Sequence, residues 1–298
     1  MPLRVDRRSA FAAVVGASVL FGTTGTATAL GPAAATPWGI GTLRIVIGAV
    51  ALWALARTWP RIAPLRQQQR IVVLLGGIGV AAYQPGFFLG TERLGVALGT
   101  MIALTTGPIA AGCIDGVLNR QLPSRSWMIG TIVMVGGVIL LLLGRPDIAG
   151  AALDPVGVLG SAIAGLGYAV YAVMARRAVV SGVESTTALA WEHTVGAVLL
   201  LPALFMVPLG WVTDPDGMAM LLHLGVLTVG VAYLLYGIGL RTLDSSTAVS
   251  ITLVEPLTAT LLAVTVLDEG LNRRGWVGAV IVLIGLAVIG RNVRATTA

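Results

Sequence analysis

Residues 243–276 read LDSSTAVSITLVEPLTATLLAVTVLDEGLNRRGW, and this stretch decides the fold. Its long apolar run is interrupted by a single acid, Glu255, with Pro256 directly behind it. An ionised acid at the centre of a membrane helix costs roughly 3 kcal/mol, and a proline removes one backbone hydrogen bond and strains the preceding turn. A helix that only crosses a bilayer needs neither residue. The pair therefore indicates a functional position inside a spanning helix.

The composition of the whole chain is that of a protein with many membrane spans. Of its 298 residues, 56% are apolar and only 11% are charged, whereas soluble domains carry about 25% charged residues. The mean hydropathy is +0.92, and the 39 glycines suit helices that pack closely in lipid. The sequence therefore predicts an all-α integral membrane protein whose surface meets the lipid bilayer.

Several classes of function are disfavoured by the residue pattern. The isoelectric point of about 10.4 does not indicate a nucleic-acid partner, because the arginines lie in short loops and not in a patch interleaved with aromatic residues. The single cysteine, Cys113, excludes an internal disulfide and a cysteine-based metal site. No HExxH, GxSxG or P-loop pattern occurs, and residues 76–79 (GGIG) lack the third glycine of a dinucleotide fingerprint. We therefore expect no enzyme, no metal and no cofactor.

Ten apolar stretches are long enough to cross a bilayer, which takes about 20 helical residues. The run after Arg8 has no clear cleavage site and is too long for a signal-peptide core, so it is assigned as the first span. The weakest predicted boundaries are the breaks at residues 91–93 and 241–244. The predicted spans are 9–30, 38–56, 71–90, 95–117, 127–144, 155–175, 185–206, 218–239, 246–267 and 275–291.

The distribution of arginines predicts the orientation. With a cytoplasmic N-terminus, fourteen arginines lie on the cytoplasmic side and only Arg93, Arg145, Arg273 and Arg274 lie on the other, while Arg44 is inside a span. Cytoplasmic loops carry an excess of basic residues. We therefore expect a multi-pass protein of the inner (plasma) membrane with both termini in the cytoplasm.

The chain contains a weak internal repeat. Residues 94–127 and 243–276 are equally long and match at nine positions without gaps, although Pro108 and Pro256 are one residue out of step. The offset between them is half the chain, so two repeats, residues 1–148 and 149–298, each hold five spans. Because five is odd, the second repeat must enter the membrane inverted. Inverted repeats are typical of secondary transporters, which bind substrate at the midplane between the halves.

Three segments near the C-terminus resemble the closing signature of the drug/metabolite transporter superfamily, EamA type. Arg44 and the stretch from Tyr168 to Arg177 resemble further landmarks of that family. The resemblance implies a ten-helix transporter of small metabolites, and it does not choose among amino acids, nucleotide sugars, drugs and polyamines. The segments are Val254-Glu255-Pro256-Leu257, Leu267-Asp268-Glu269-Gly270-Leu271 and Gly275-Trp276-Val277-Gly278.

The charged residues inside spans are the first candidates for a substrate site. Glu255 is either a cavity acid that meets a cationic group or a proton, or a structural acid bonded to a neighbouring helix. Arg44 is either an anchor for a substrate carboxylate or a tie between helices. Glu192 and His193, which align with Arg44 in the repeat, are either a proton relay or packing residues. Proton coupling through Glu255 or Glu192 is one hypothesis. The first repeat has Gly107-Pro108 where the second has the acid, so a carboxylate role depends on the second repeat alone.

Aromatic and polar residues well inside spans are candidates for a cavity wall. Tyr83 with Gln84, Tyr168 and Tyr233 are expected to line it, although tyrosine also belongs to the interface belt. Tyr168 and Tyr171 are three residues apart and share a helix face. Thr24 in the hydroxyl-rich first span either faces the cavity or serves close helix packing.

The remaining candidates concern motion. Pro85, Pro108 and Pro256 are expected to loosen the helices around the cavity. Glu269 is expected to act as an end cap or a gate contact, and His223 is expected near the end of a span.

The sequence thus predicts a secondary transporter of small organic metabolites that alternates between two inverted repeats. On resemblance, export of amino acids or related compounds is favoured. The alternatives are a passive channel, a membrane-embedded lipid-modifying enzyme and a non-transporting scaffold. The substrate, the coupling ion and the oligomeric state stay open.

Overall fold

The computed structural model describes residues 5–56, 64–121, 123–145 and 153–295, the last four of these by backbone only. All regular secondary structure in this part of the chain is helical, and ten helices in it are long and apolar enough to cross a membrane. The predicted all-α fold with ten spans is therefore confirmed. The helices are α1 Arg7–Ala29, α2 Pro37–Leu55, α3 Gln67–Leu94, α4 Val96–Asn119, α5 Arg125–Leu143, α6 Pro155–Val180, α7 Ser185–Met206, α8 Pro215–Leu240, α9 Ser245–Val266 and α10 Arg273–Ala295.

The two weakest predicted boundaries have different outcomes. The break at residues 241–244 is confirmed, since α8 ends at Leu240 and α9 begins at Ser245. The break predicted near residues 91–93 is present but lies slightly later, because α3 continues to Leu94. Gly95 alone separates α3 from α4, with φ at 80°. A glycine adopts positive φ without steric cost, so one residue is enough to reverse the chain.

The helix α9 is interrupted at the proline predicted to disturb it. Pro256 has no N–H to bond to the carbonyl of Thr252, and the chain tightens to a 3-10 turn over Thr252–Val254. The second half of α9 then begins at Glu255. The acid therefore lies at a helix N-terminus, where the backbone dipole favours a negative charge.

The bundle is held together by close backbone contacts between α3 and α6. A methyl group added at Gly79 would lie 2.6 Å from the carbonyl oxygen of Gly167, and one added at Gly86 would lie 2.7 Å from that of Gly160. Such distances are too short for a real side chain. Glycines spaced seven residues apart on each helix therefore allow this pair to pack backbone against backbone.

The major helix contacts occur in matched sets. Helix numbers can be shifted by five, with α1 following α10. The shift turns the pair α3–α6 into α8–α1, the pair α4–α6 into α9–α1, and the pair α2–α8 into α7–α3. All six pairs are in extensive contact. The pairs α5–α10 and α2–α7 map onto themselves and are also in contact. This is the pattern that two equivalent five-helix halves would give.

Large apolar side chains cover the outside of the bundle. Val50, Ile132 and Leu159 are each more than 60% exposed, on three different helices. In water this surface would be unfavourable, whereas in lipid it is the expected exterior.

Helix ends in the loops are capped by polar side chains. Asp154 caps α6 by accepting from the backbone N–H groups of Val156 and Gly157, and it forms an ion pair with Arg93. The hydrogen bond from Val156 contributes most to holding the pKa of Asp154 below its usual value, while partial desolvation opposes it. These caps satisfy donors that helix ends leave open.

Candidate functional site

Arg44 of α2 is the basic centre of a polar cluster deep in the bundle. With the amide of Gln84 oriented so that its oxygen faces the guanidinium, that oxygen accepts from Nε of Arg44 at 3.3 Å and from Nη2 at 3.1 Å. Gln84 is only 2% exposed and belongs to α3, so the contact joins two helices and fixes the guanidinium. Arginine has five N–H donors, which leaves three without a partner among the described residues. The contact has the geometry of the interhelical tie, and the choice between a tie and a carboxylate anchor stays a prediction.

Glu255 of α9 provides the opposite charge. Its side chain is partly exposed and interacts electrostatically with Arg44. Within the described ranges, no ion pair or hydrogen bond joins its carboxylate to another side chain. The cluster therefore presents a cation and an anion that do not neutralise each other by direct contact, and both can bind a further group.

Aromatic rings lie beside this charged pair. Tyr83, which interacts electrostatically with both Glu255 and Arg44, stacks on Phe87 with ring centroids 5.5 Å apart and planes 11° apart. Phe88 continues this wall towards Trp38, at 5.5 Å. Such a wall suits a flat apolar group of a ligand, since aromatic rings pack well in offset or edge arrangements.

A second group of rings forms around Tyr233 of α8. Its hydroxyl donates to that of Tyr171 at 3.0 Å, and its ring lies 5.1 Å from that of Phe21. Tyr168 and Tyr171 share a face of α6 as their spacing predicts, with centroids 5.2 Å apart. The hydroxyl of Tyr168 bonds to Thr252 in the 3-10 turn of α9. Tyr168 is buried, so in this conformation it supports the break in α9 and does not face open space.

Glu192 and His193 of α7 are both fully buried. His193 bonds through Nδ1 to the carbonyl of Leu189 at 2.8 Å, and its ring lies 4.3 Å from that of Tyr233. Glu192 packs against Gly76 of α3, and neither of its carboxylate oxygens has a hydrogen-bond partner. The two neighbours therefore diverge, as adjacent helix positions must, and only His193 contacts the tyrosine group.

The other predicted residues are distributed around this centre. Thr24 is partly exposed on α1. The nearby Gly22 lies so close to the carbonyl oxygen of Glu255 that an added methyl would be 2.7 Å from it, so α1 packs on α9 at the break. Pro85 and Pro108 lie inside α3 and α4, which stay helical through them.

His223 does not lie near a span end as expected. It lies eight residues inside α8, where a π-helical segment, His223–Val231, begins. Its Nε2 atom is 2.8 Å from the hydroxyl of Thr23. The prediction was wrong because α8 starts at Pro215, earlier than the apolar run indicates.

Polar contacts join the helices at both ends of α9. Beyond its last turn, Glu269 accepts from Nη2 of Arg145 at 2.8 Å, so the residue makes an interhelical contact at one end. At the other end, Asp115 of α4 accepts from the hydroxyl of Ser245 at 2.7 and 2.8 Å and from the backbone N–H of Ser246 at 2.8 Å. These two contacts hold opposite ends of the bundle together.

A cavity of about 830 Å³ lies at the Asp115 end. Its wall includes Asp244, Arg176 and Arg177, and it is lined by the ends of α3, α4, α6 and α9 with the start of α5. No group of His, Cys, Asp or Glu in the described ranges is arranged to hold a metal ion.

Sequence reasoning singled out Tyr83 and Glu269 but missed the other rings of the aromatic wall and the contact of Asp115 with Ser245. The spacing of Tyr83 and Phe87, four residues apart, would have placed them on one face. No local signal links Trp38 to Phe88 or Asp115 to Ser245, because these contacts depend on which helices meet.

Comparison with known proteins agrees with this architecture. Residues 8–143 and 155–291 each match the family described as "EamA-like transporter family", and each match contains five of the ten helices. The chain is 34% identical to the "Uncharacterized transporter YwfM" of Bacillus subtilis (strain 168), over 92% of this chain and 90% of that protein. It is 26% identical to the "Uncharacterized transporter sll0355" of Synechocystis sp., over 85% and 81%.

A solved crystal structure has the same fold. It is similar with a TM-score of 0.78 at 22% sequence identity, over 95% of this chain and 99% of the other. Three findings support one assignment. The two family matches together cover most of the chain, and ten helices are apolar enough to cross a membrane. A relative that is named as a transporter aligns with this chain over nearly its full length. The chain belongs to the EamA-like transporter family of the drug/metabolite transporter superfamily, and it is a multi-pass membrane transporter.

Proposed function

We propose that the protein is a secondary transporter that exports small zwitterionic metabolites, amino acids or related compounds, across the inner membrane. The observation that carries this proposal is the pair of Arg44 and Glu255, two opposite charges deep in the bundle with free hydrogen-bonding capacity and an aromatic wall beside them. A site with one charge of each sign suits a ligand that is itself neutral overall but carries both charges.

Each charge has a matching group on such a ligand. The guanidinium of Arg44 binds the substrate carboxylate, since its planar fork fits two carboxylate oxygens. Glu255 accepts from the ammonium group, and its position at the start of a helix favours the ionised form. The rings of Tyr83 and Phe87 accommodate an apolar or aromatic side chain. The same rings can attract the ammonium group through a cation–π interaction.

Transport follows from alternating exposure of this site. The two repeats, residues 1–148 and 149–298, lie inverted in the membrane with both termini cytoplasmic, and they rock against each other around the site. The break at Pro256 lets the halves of α9 tilt separately. Closure alternates between the Asp115 contact and the Glu269 contact. Substrate shifts this equilibrium only by binding the two states with different affinity.

Counterflow in liposomes tests the proposal. The purified protein is reconstituted in phosphatidylethanolamine–phosphatidylglycerol liposomes preloaded with one unlabelled amino acid at a time, and uptake of the same radiolabelled amino acid is followed. A carrier gives transient accumulation that saturates for at least one amino acid, whereas a passive channel gives neither. Arg44→Gln and Glu255→Gln should each abolish counterflow, and Arg125→Gln, an exposed arginine at the start of α5, should not. Absence of saturable counterflow for every amino acid would reject the substrate class.

A further inference from the structure

We infer that Glu192 is a proton-binding site of this transporter, and that it exchanges its proton only when α7 moves away from α3. This inference depends on the proposed function, since it assigns the coupling ion and its residue within that function. It also separates the roles of two acids, because Glu255 is then a substrate contact and Glu192 the proton carrier.

The position of Glu192 is the first observation. Its side chain is 0% exposed, and both carboxylate oxygens are buried without a hydrogen-bond partner. The carboxyl group occupies the space that Gly76 of α3 leaves, because a methyl group added to that glycine would collide with the carboxyl carbon and with Oε1. A methyl group added to the next glycine, Gly77, would lie 2.9 Å from the backbone carbonyl oxygen of Glu192. The acid is thus enclosed between two helices that pack backbone to backbone.

The charges around Glu192 decide its protonation state. The helices packed against α7 carry these titratable or charged groups: Arg44 of α2; Arg70, Tyr83, Glu92 and Arg93 of α3; Tyr168, Tyr171, Arg176 and Arg177 of α6; and Asp216, His223, Tyr233 and Tyr236 of α8. Of these, only Tyr233 and Tyr236 interact electrostatically with Glu192, and both are uncharged at neutral pH. Arg44 interacts with His193 instead.

No cation in the described ranges therefore compensates an ionised Glu192. An isolated carboxylate in such surroundings is far more costly than a neutral carboxylic acid, and a buried group in this position takes up a proton instead of staying charged. In the conformation described here Glu192 carries a proton. It can ionise only when water or a polar partner reaches it, which requires the α3–α7 contact to open.

The same opening would change the substrate site. His193 follows Glu192 and contacts the ring of Tyr233, whose hydroxyl is bonded to Tyr171. Tyr233 also interacts electrostatically with Arg44 and Glu255. A displacement of α7 that hydrates Glu192 therefore withdraws His193 from the tyrosine group. Loss of the proton and a change in substrate affinity become consequences of one movement, which is the requirement for coupling.

Infrared spectroscopy tests the protonation directly and needs no substrate. The wild type, Glu192→Gln and Glu255→Gln are compared in phosphatidylethanolamine–phosphatidylglycerol liposomes at neutral pH, in light and in heavy water. The C=O stretching band of a neutral carboxylic acid, slow to shift in heavy water, should be present in the wild type and in Glu255→Gln and lost in Glu192→Gln. An identical band in wild type and Glu192→Gln would overturn the inference.

Transport assays test the coupling. Glu192→Gln resembles the protonated acid in shape and should keep counterflow of a radiolabelled amino-acid mixture, which needs no net proton movement. It should lose accumulation driven by a pH gradient, whereas Glu192→Asp, still titratable, should retain it with a shifted pH profile. Gradient-driven accumulation that persists in Glu192→Gln would contradict this inference alone. A wild type without counterflow would instead contradict the proposed function.

Discussion

At the scale of single residues, the proposed function depends on a charged side chain that keeps free hydrogen-bond donors inside the membrane. Arg44 is held by Gln84 through two of its N–H groups, and its other donors have no partner in the part of the chain that the structure describes. Arginine suits this double task because its five donors are fixed in one plane. A lysine has a single charged nitrogen and cannot bond to the amide and present a planar fork at the same time.

Replacement of Arg44 by lysine should therefore weaken binding while keeping the charge. We expect Arg44→Lys to raise the KM of the best amino-acid substrate about tenfold or more, since a hydrogen bond to a charged group contributes about 1.5–3 kcal/mol. The measurement is the concentration dependence of counterflow. Arg125→Lys, at the exposed start of α5, is the matched control and should leave the KM unchanged. An unchanged KM in Arg44→Lys would show that charge alone is sufficient.

The bond between Tyr168 and Thr252 should couple the stability of α6 to that of α9. Each of Tyr168→Phe and Thr252→Val removes one partner of a buried hydrogen bond, and we expect each to lower the free energy of unfolding by about 1 kcal/mol. The double variant should lose less than the sum of the single losses. Thermal unfolding in detergent measures all four proteins, and strictly additive losses would contradict the pairing.

The sequence predicts some residues of the site much better than others. Glu255, Arg44, Tyr83 and Tyr233 stand out because polar and charged groups are costly inside spans. Phe21 does not stand out, since phenylalanine is ordinary in a membrane helix. The enclosure of Glu192 could not be predicted either, because it depends on the register of α7 against α3.

At the scale of whole helices, two segments depart from regular α-helix for different reasons. The break in α9 lies where the missing N–H of Pro256 removes a helical hydrogen bond, although the helices that contain Pro85 and Pro108 stay helical. The π-helical segment of α8 contains no proline, and no local pattern indicates it. This segment packs against α2, so its departure from α-helix occurs at a contact with a neighbouring helix. Local rules therefore identify the proline as a possible site of the first departure and give no sign of the second.

The glycines at the contact between α3 and α6 should be more sensitive to substitution than glycines that face open space. Gly86→Ala forces a methyl group against the carbonyl oxygen of Gly160, and we expect a loss of about 1–3 kcal/mol in the free energy of unfolding, as for overpacked cores. Gly136→Ala in α5 is the matched control, because a methyl there meets nothing within 4 Å. It should be neutral or stabilising, since alanine favours helix over glycine. Equal melting temperatures in the two variants would contradict the close packing of α3 and α6.

At the scale of the whole molecule, the number and order of the helices could be read from hydropathy because lipid imposes one length on every span. The pairing of those helices could not, since each has apolar residues on all sides. What the structure adds is that contacts recur when helix numbers are shifted by five. Such a bundle can close at either end with similar contacts, and this makes two states of similar free energy physically reasonable.

The two end contacts should therefore control access in opposite directions. Asp115→Asn weakens the bonds to Ser245 and Ser246, which favours opening of the 830 Å³ cavity. Glu269→Gln weakens the ion pair with Arg145, which favours opening of the other end and hence closure of the cavity. Because the charge-assisted bonds of Asp115 are worth more than a partly exposed ion pair, the first shift should be the larger.

Labelling of a single cysteine measures this shift. Thr247→Cys places a reporter in the cavity wall, in a Cys113→Ser background that removes the native thiol. The rate of modification by a maleimide should rise severalfold with Asp115→Asn and fall with Glu269→Gln. The combination of both changes should lie between them, because each acts on the same equilibrium from the opposite end. If both single changes moved the rate in the same direction, the ends would open independently, and a bundle that leaks at both ends cannot hold a substrate gradient.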